Sequence, residues 1–572
     1  MALMQSLSSE PNPQIAQPVH SESAGGGQTP AGSPSWSYSV SVRSLCEFTA
    51  KQGDLDRRFT PSATALEGLN GQAAVRARRS SEYQSEIALV GQFEQLIVRG
   101  RADGYDPARR CLEEVKTIRG QPDEISPNRR QLHWAQLETY GAMFCREHGL
   151  TELSLALVYF DLNSQTEVEL HQLFSVDELD AAFKTRCGRF LDWAWQEARH
   201  RERRDLGLSQ LTFPLGELRP GQRTLAEAVY RSANNGRCLL AQAPTGIGKT
   251  LGALFPMLRA MPAMKIDRVA YLTCKGTART PALEAMHALR EATPGRALRV
   301  IAIVAKDQSC EHPDKACHGE SCPLAGGFYD RLPAARAEAV RLGWLDPAAQ
   351  RRIALAHRVC PYYLGQELLR WADVLVGDVY HAFDANGQLW GLAQAMGWRI
   401  GLLIDEAHNL VDRARRMYSA ELSLAQVRAA MQVAPAGLHP RFIAALGALE
   451  DASAAQTAPY AALDEVPDAL ALALQALTAA LGEHLQKLPL EVGQLLNFHF
   501  ELIRFQKLIE TFGEHSLFDI GRIEGAQMAA GSLARFEAGG KQHHACQTPG
   551  HEAGDRRTAR HHRYRREAEP GP

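Results

Sequence analysis

Two short motifs constrain the fold of this chain more than any other part of its 572 residues. The first, Ala-Pro-Thr-Gly-Ile-Gly-Lys-Thr at 243–250, follows the apolar pair Leu239 and Leu240, for which the pattern predicts a buried strand. The second, Asp-Glu-Ala-His at 405–408, follows the apolar run 401–404. A glycine-rich turn that opens a helix lets backbone N–H groups face phosphate oxygens. The two motifs therefore predict a parallel α/β sheet with a nucleotide site at one edge.

The residue types in these motifs match the parts that ATP hydrolysis requires. Lys249 is expected to reach the β- and γ-phosphates of ATP, and the Thr250 hydroxyl is expected to bind Mg²⁺. Asp405 suits a second Mg²⁺ contact, and Glu406 suits positioning or deprotonating the attacking water. Gln222 could read adenine through its amide, although an ordinary turn before a helix is the alternative. The remaining predicted contacts come from the loop itself: Thr245, Gly246 and Gly248.

Four of the eleven cysteines share a polar, loop-like part of the chain. Three closely spaced thiolates and a distant fourth supply the four ligands of a [4Fe–4S] cluster. Structural zinc is the alternative, because four cysteines also suit zinc and because His312 and His318 lie nearby. The gaps are mostly wider than the paired hooks usual for zinc, which favours the cluster. The four residues are Cys310, Cys317, Cys322 and Cys360.

The stretch from Leu218 to Leu410 resembles the DinG/XPD-type superfamily 2 DNA helicases. The shared pieces are Arg-Pro-Gly-Gln at 219–222, the phosphate loop, the four cysteines, Ala-Asp-Val-Leu-Val-Gly-Asp at 372–378 and the Asp-Glu-Ala-His box. The position of the cysteines between loop and box is specific to this group. The resemblance implies a RecA-like first motor domain, an iron–sulfur domain that helps to part DNA strands, and 5′→3′ movement on single-stranded DNA.

The front of the chain carries a candidate metal site of another kind. Three strands are predicted in this front region. Separately, the apolar run 268–273 predicts a buried strand of the motor. Asp103 and Glu114 would meet at neighbouring strand ends and form a carboxylate pair for Mg²⁺, although Glu113 makes the choice of glutamate ambiguous. Solvated surface charges are the alternative. The three front strands are expected over 83–90, 95–100 and 111–115.

Lys116 would lie on the same face as Glu114, because side chains alternate along a strand. Its ammonium could then polarise a metal-bound water. On the following helix, Gln136 and Tyr140 are four residues apart and share one face. This order resembles PD-(D/E)XK nucleases of the RecB-like class, which implies a deoxyribonuclease site. Glu67 is the candidate for the first acidic position of that family, with Glu86 as its rival.

The predicted fold class is α/β: a PD-(D/E)XK-type mixed sheet with helices, then a RecA-like parallel-sheet motor with iron–sulfur and helical arch-like insertions. A charged helix around 193–204 could touch phosphates, but its mixed charges favour a solvated linker. The predicted boundaries are a disordered tail over 1–37, a nuclease-like domain over 38–194, a linker over 195–212, the motor over 213–305 and 369–415, the iron–sulfur insertion over 306–368, the helical insertion over 416–530 and a tail over 531–572.

Composition limits the partners that the chain can have. The formal net charge of −2 gives no global basic field, so contacts with single-stranded or branched DNA would have to come from local grooves. No run of eighteen apolar residues occurs, so no membrane span is expected. The cysteines are too sparse for a disulfide scaffold, which predicts a reduced, cytoplasmic protein.

A superfamily 2 motor works between two RecA-like domains, and the sequence contains no convincing second one. A separate polypeptide or a dimer partner could supply it. The His- and Arg-rich end after Gly540 is interpreted as either a native basic tail or a frameshifted or truncated reading frame. Two further function classes remain open: a module that binds ATP and single-stranded DNA without turnover, and a nuclease whose motor half is only a clamp. Repair or recombination is the context that the resemblance implies.

Overall fold

The computed structural model describes residues 19–20, 36–57, 65–384, 387–456, 460–487, 493–514, 516–525 and 528–538. Most of the predicted tail over 1–37, and residues 539–572 of the predicted end, lie outside the described residues. The described strands form one seven-stranded, one five-stranded and one four-stranded sheet. None of the described helices is long and apolar enough to span a membrane. The protein is an α/β protein with a mixed sheet and a parallel sheet, as predicted.

The front domain contains the mixed, seven-stranded sheet and four helices. The strands run in the order β1-β2-β4-β5-β6-β7, with β3 paired to β4. The elements are β1 (Val19–His20), β2 (Trp36–Ser41), α1 (Val42–Thr49), α2 (Ala65–Arg76), β3 (Gln84–Phe93), β4 (Leu96–Asp106), β5 (Cys111–Ile118), α3 (Pro127–His148), β6 (Glu152–Asp161), β7 (Glu167–Ser175) and α4 (Val176–Ser209).

Local sequence explains the main features of this domain. The three strands predicted between residues 83 and 115 are confirmed as β3, β4 and β5, which extend further than predicted. The apolar run in β6 is buried on both faces, as expected for a central strand. Helix α3 begins at Pro127 and ends at His148, and its C-cap Gly149 has a φ of 64°, which suits glycine after a helix end. The helix packs on strands β3, β4, β5 and β6 of the sheet.

The motor domain contains a five-stranded, fully parallel sheet in the order β10-β9-β11-β8-β12. Parallel strands bring their carboxyl ends to one edge, where ligands bind in such sheets. The elements are α5 (Pro220–Asn234), α6 (Lys249–Met264), β8 (Arg268–Thr273), α7 (Arg279–Ala292), β9 (Val300–Ala302), α8 (Lys306–Ser309), α9 (Phe328–Leu342), β10 (Trp344–Leu345), α10 (Pro347–Ala356), α11 (Pro361–Leu368), β11 (Val374–Asp378), α12 (Tyr380–Phe383), α13 (Gln388–Met396), β12 (Ile400–Asp405) and α14 (Leu410–Met417).

One predicted strand of the motor is confirmed and another is wrong. The run 268–273 forms β8, and all six of its residues are buried. The pair Leu239 and Leu240 forms no strand, and its side chains are 37% and 90% exposed. Strand β12 is an edge of the sheet, where Leu402 is 40% exposed. An apolar pair becomes a strand only when a neighbouring strand takes up its backbone hydrogen bonds, and the pattern of side chains does not report that neighbour.

The third region contains helices and a four-stranded antiparallel sheet in the order β13-β16-β15-β14. Helices were predicted for this region, and one of them buries the leucines of one face, Leu470, Leu474 and Leu477. The sheet was not predicted, and its last strand continues past 531, where the tail was expected to begin. The elements are β13 (Ser419–Ser423), α15 (Leu424–Val433), α16 (His439–Ala454), β14 (Tyr460–Leu463), α17 (Asp468–Lys487), α18 (Gln494–Glu510), β15 (Ser516–Gly525) and β16 (Met528–Ala538).

Helix α4 joins the front domain to the motor. The sequence favoured a solvated linker for its second half, but this half is packed, with Glu197, His200 and Arg204 buried. His200 Nε2 lies 2.7 Å from Asp373 Oδ2, and Arg204 donates to Asp373 Oδ1 at 3.2 Å. Arg299 pairs with Glu197. The mixed charges that indicated a solvated surface are therefore partners of buried charges in the motor.

Candidate functional site

The phosphate loop turns directly into α6. Gly246 and Gly248 both have a φ of 83°, which glycine adopts without the steric cost that a Cβ atom imposes. Gly248 is the N-cap of α6, and its carbonyl accepts the Gly252 N–H at 2.9 Å. Thr245 and Gly246 are exposed in the loop. A glycine-rich turn that opens α6 is therefore present, as the sequence predicted, and phosphate binding by the first N–H groups of the helix stays a prediction.

The structure brings the two motifs together at the carboxyl edge of the sheet. Lys249 Nζ lies 3.6 Å from Glu406 Oε1. The Tyr271 hydroxyl on β8 donates to Thr250 Oγ1 at 3.4 Å and also interacts with the Asp405 carboxylate. Burial raises the pKa of Tyr271 well above its ordinary value, so the hydroxyl keeps its proton. Both predicted Mg²⁺ ligands therefore contact one neutral hydroxyl.

Tyr271 was not among the predicted site residues, although its position on β8 contained a signal. Asp405 pairs in register with Thr273 at the end of β8. Tyr271 is two residues earlier on that strand, so its side chain shares a face with Thr273. The signal is that Tyr271 is a large polar residue on this face, close enough to the end of β8 to reach Thr250.

Glu406 occupies a conformation that is costly for residues other than glycine. Its φ is 52° and its ψ is 43°, which is the left-handed region. Its backbone N–H donates to Asp405 Oδ1 at 3.0 Å. Strained backbone of this kind persists where the surrounding structure imposes it, often at functional sites.

Gln222 forms a hydrogen bond to the phosphate loop. Its Nε2 donates to the Gly248 carbonyl at 2.9 Å, and its Oε1 accepts the Arg219 N–H at 3.3 Å. The side chain is buried, and Arg219 itself donates to the Gly246 carbonyl at 2.8 Å. The Nε2 end of the Gln222 amide thus holds the loop and its Oε1 end caps the start of α5, while a contact with adenine stays a prediction.

The predicted carboxylates of the front domain lie on adjacent strands and share a site. Asp103 Oδ2 on β4 accepts the Val115 N–H at 2.7 Å. On β5, Lys116 Nζ lies 2.6 Å from Glu114 Oε1 and 3.2 Å from Gln136 Oε1 on α3. The four side chains that the sequence singled out, Asp103, Glu114, Lys116 and Gln136, are therefore gathered in one place.

The electrostatics of this site favour a bound cation. Burial and the Glu114 charge raise the pKa of Asp103 to about 8. Glu114 Oε2 is buried without a hydrogen-bond partner among the described residues. Burial, followed by the charges of Glu114 and Asp103, raises the pKa of Tyr140 above its ordinary value. Two carboxylates with an unused buried oxygen fit a divalent metal ion, whose oxygen ligands they would be.

A further polar residue at this site was missed. Gln72 Nε2 on α2 donates to Asp103 Oδ1 at 3.0 Å. Glu67, the candidate for the first acidic position, is on the same helix, but its side chain lies outside the described residues. Its rival Glu86 is exposed and lies 3.6 Å from Arg101. Gln72 is therefore a polar neighbour of Asp103 that the sequence did not single out.

Strand alternation resolves the ambiguity between the two adjacent glutamates. Glu113 is fully buried on the opposite face of β5 from Glu114. There it accepts hydrogen bonds from Arg79 at 2.9 Å and from the Tyr83 hydroxyl at 3.0 Å. A Cβ atom at Gly104 would lie 1.9 Å from that hydroxyl, so the contact requires glycine there. Glu113 therefore anchors the sheet, and Glu114 belongs to the candidate metal site.

The four cysteines lie in one region of the motor. Cys322 and Cys360 are buried in the same apolar core, and Cys310 and Cys317 are partly exposed. Burial, followed by the nearby Cys317 and Cys310, raises the pKa of Cys360 to about 11. Among the described residues, no three His, Cys, Asp or Glu side chains are arranged closely enough to hold one metal ion. The donor set of four thiols nevertheless fits the chemistry of a [4Fe–4S] cluster or of zinc.

One of the two histidines that supported zinc, His318, has other contacts. His318 is buried, and its Nδ1 accepts the Glu320 N–H at 3.3 Å. Its Nε2 lies 4.0 Å from Asp56 Oδ2. Both ring nitrogens therefore face groups other than the thiols.

Comparison with known proteins places the second motif and the cysteines in one family segment. Residues 296–427 match the DEAD_2 family model. The DEAD_2 segment contains all four cysteines and the Asp-Glu-Ala-His box. The chain is also 35% identical over 72 residues to the ATP-dependent DNA helicase CHL1 of Eremothecium gossypii, an alignment that covers 12% of this chain and 8% of that helicase. The chain is thus similar to the DEAD_2 family over residues 296–427 and, over a stretch of 72 residues, to one ATP-dependent DNA helicase.

Two solved structures are similar over larger parts of the chain. One, titled XPD_Helicase, is 19% identical, with a TM-score of 0.38, and the match covers 56% of this chain and 54% of that one. The other, titled Truncated XPD, is 20% identical, with a TM-score of 0.34, and the match covers 50% of this chain and 81% of that one. Both TM-scores are too low to establish a shared fold.

The raised pKa of Asp103 predicts a pH-dependent affinity for metal. A divalent cation must displace the proton of Asp103, so the Mn²⁺ affinity should rise by up to about tenfold per pH unit from pH 6 and level off above about 8. Titration calorimetry of the full chain with Mn²⁺ measures this dependence. The pH dependence of the affinity should disappear in Asp103→Asn and should persist in Asp123→Asn, a control at an exposed residue. Affinity that is unchanged between pH 6 and 8 would contradict the assignment.

Proposed function

We propose that this chain is an ATP-hydrolysing motor acting on DNA, with a [4Fe–4S] cluster on its four cysteines and a metal-dependent nuclease in its front domain. DNA repair or recombination is the proposed context. The observation that carries the motor proposal is the 3.6 Å separation between Lys249 of the phosphate loop and Glu406 of the Asp-Glu-Ala-His box. The relation of the DEAD_2 segment to DNA helicases supports DNA as the partner.

The geometry supports a division of roles within the nucleotide site. Lys249 exchanges its contact with Glu406 for the phosphates of bound ATP, which frees the Glu406 carboxylate to accept a proton from the attacking water. Thr250 and Asp405 would hold Mg²⁺, which neutralises the phosphate charge when bound. Tyr271 orients both ligands through its hydroxyl. Gln222 keeps the loop in the conformation that exposes its N–H groups.

The proposed DNA contact follows β8 at the same edge of the sheet. Lys275 is exposed directly after the strand end, and the neighbouring Cys274 carbonyl accepts a hydrogen bond from Arg413. Arg413 belongs to α14, which follows the Asp-Glu-Ala-His box. The Lys275 cation is suited to contact a DNA phosphate. Because the Arg413 hydrogen bond connects this segment to the helix after the Asp-Glu-Ala-His box, DNA binding here would be coupled to the nucleotide site. The 5′→3′ polarity remains an implication of the resemblance.

The proposed cluster site is supported by the polar groups that surround its thiols. The Lys306 ammonium and the Tyr363 hydroxyl both interact with the Cys317 sulfur. Cys360 is the N-cap of α11, and the Tyr363 and Tyr362 backbone N–H groups act to lower the pKa of its thiol, against the larger effect of burial. These donors stabilise thiolates, which are the form that ligates iron. A bound cluster would cross-link the segment between Cys310 and Cys360.

A nuclease is the second proposed activity, and the gathered Asp103, Glu114, Lys116 and Gln136 favour it. Asp103 and Glu114 would hold the metal ion, which lowers the pKa of a bound water when present. Lys116, between Glu114 and Gln136, is placed to orient that water or to stabilise charge on the phosphate. If this site cleaves DNA without any motor activity, the chain is a nuclease with a nucleotide-binding clamp.

ATP turnover by the full chain, with and without single-stranded DNA, tests the motor proposal. We expect DNA to stimulate turnover and Lys249→Ala to reduce it by about 100-fold or more, because the Lys249 cation faces the charge that develops on the phosphate. Lys184→Ala is the control, because Lys184 is an exposed lysine of the front domain.

ATP binding without turnover would instead support a module that binds ATP and single-stranded DNA. The described residues contain one parallel sheet of the motor type. A separate polypeptide or a dimer partner is the proposed source of the arginine that completes such a site. Absence of ATP binding would overturn the proposal.

Metal analysis of anaerobically purified protein tests the cluster. We expect iron and acid-labile sulfide in equal amounts, with visible absorption, and their loss in Cys360→Ser but not in Cys238→Ser, since Cys238 is exposed and distant in sequence from the four. Stoichiometric zinc would contradict the cluster and favour the alternative metal.

A further inference from the structure

A segment of the front domain lies against the cysteine region of the motor. Residues 50–57, named here the strap, follow α1 and run beside residues 317–330. Backbone pairing of this kind fixes one segment on another without depending on side-chain identity. Three backbone hydrogen bonds fasten the two segments: Leu55 N–H to the Ala325 carbonyl at 2.8 Å, Arg57 N–H to the Cys317 carbonyl at 2.9 Å and Tyr329 N–H to the Gly53 carbonyl at 2.9 Å.

Side chains of both segments add to this pairing. The Asp54 carboxylate accepts the Gly327 N–H at 2.7 Å, and Asp330 accepts the Gly53 N–H at 2.9 Å. A Cβ atom at Gly319 would lie 1.8 Å from Asp54 Oδ2 and 2.9 Å from Asp54 Cβ. The close approach of the strap therefore requires glycine at 319, between the second and third cysteines.

The strap also contributes to the surroundings of the thiols. Leu55 is 2% exposed and belongs to the apolar core that contains Cys322 and Cys360. The Arg57 guanidinium lies over the Tyr363 ring, 5.2 Å from its centre. Asp56 faces His318. One wall of the cysteine region is thus made by the front domain.

The other side of the strap is connected to the carboxylate site. Asn128, in the first turn of α3, donates to the Asp54 carbonyl. The same helix carries Gln136, which contacts Lys116. On α1, directly before the strap, the Cys46 thiol donates to the Ala135 carbonyl of α3 at 3.4 Å. Strap, α1 and α3 therefore form one connected unit that extends from the cysteines to the candidate metal site.

We propose that the strap is the outer wall of the cysteine site, so that metal bound by the four cysteines and the folded front domain stabilise each other. This inference rests on the proposed metal site of the previous subsection. Outer contacts that orient ligands and limit solvent access typically change metal affinity 10- to 100-fold when they are removed. Loss of the metal would in turn loosen the strap and the start of α3, and with them the support of Gln136.

The experiment compares full-length wild type with Asp54→Ala and with Asp123→Ala, which removes an exposed aspartate of the same domain. Two quantities are measured: hydrogen exchange of residues 317–329, and the rate at which a strong iron chelator removes the metal. In Asp54→Ala we expect both to rise by about 10-fold or more, and in Asp123→Ala neither should change. Metal removal from wild type should also raise exchange in residues 50–57 and at the start of α3.

The outcomes separate this inference from the cofactor assignment. Unchanged exchange and unchanged metal release in Asp54→Ala would overturn the proposal. So would metal removal that leaves exchange in 50–57 unaltered. Protein that purifies without iron or zinc would overturn the cofactor assignment, and with it the mutual stabilisation. Exchange of 317–329 in Asp54→Ala would then still show whether the strap holds that segment.

Discussion

The buried carboxylate of Asp373 is the interaction on which the arrangement of the two halves depends. His200 and Arg204 of α4 contact this carboxylate, which also accepts a hydrogen bond from the Arg299 backbone N–H at 2.9 Å. Burial alone would raise the pKa of Asp373, but the charges of His200, Arg204 and Arg268 lower it well below its ordinary value. A buried charge is tolerated only when its partners are in place, so the cluster allows α4 one position on the motor sheet.

Aromatic contacts also join the front domain to the motor. The rings of Phe48 on α1, Trp193 on α4 and Trp371 of the motor lie 5.1 to 6.2 Å from one another. The Arg336 guanidinium covers both Phe48 and Trp371. Together with the strap, the front domain therefore meets the motor at the charge cluster, at the aromatic rings and at the cysteine region. The candidate carboxylate and nucleotide sites are thereby held on one body.

The sequence predicted the parts of this structure that depend on local pattern. The phosphate loop, β8 and the carboxylate strands follow from glycine placement and from the spacing of apolar and acidic residues. Lys249 and Glu406 could be assigned to one nucleotide site in advance because the loop and the Asp-Glu-Ala-His box contain the complementary parts that ATP hydrolysis requires. The strand at Leu239 failed because strand formation requires a partner that the pattern does not show.

Other features were unpredictable because they join residues that are far apart in the chain. The charges of α4 indicated a solvated helix, since Asp373 and Arg299 lie more than ninety residues away. Gln72 and Tyr271 were missed because each matters only through a contact with another element. The strap carried no motif, and its role depends on backbone pairing with the segment around Cys317.

Native-state hydrogen exchange of the full chain tests most directly whether the front domain and the motor form one unit. The amides of β6 in the front sheet and of β8 in the motor sheet should open with the same free energy. Asp373→Asn should lower both values together, by about 3–5 kcal/mol, because it leaves buried cationic partners unpaired. If β6 and β8 open independently, or if Asp373→Asn affects only β8, the two halves are separate domains and the account of a single body is wrong.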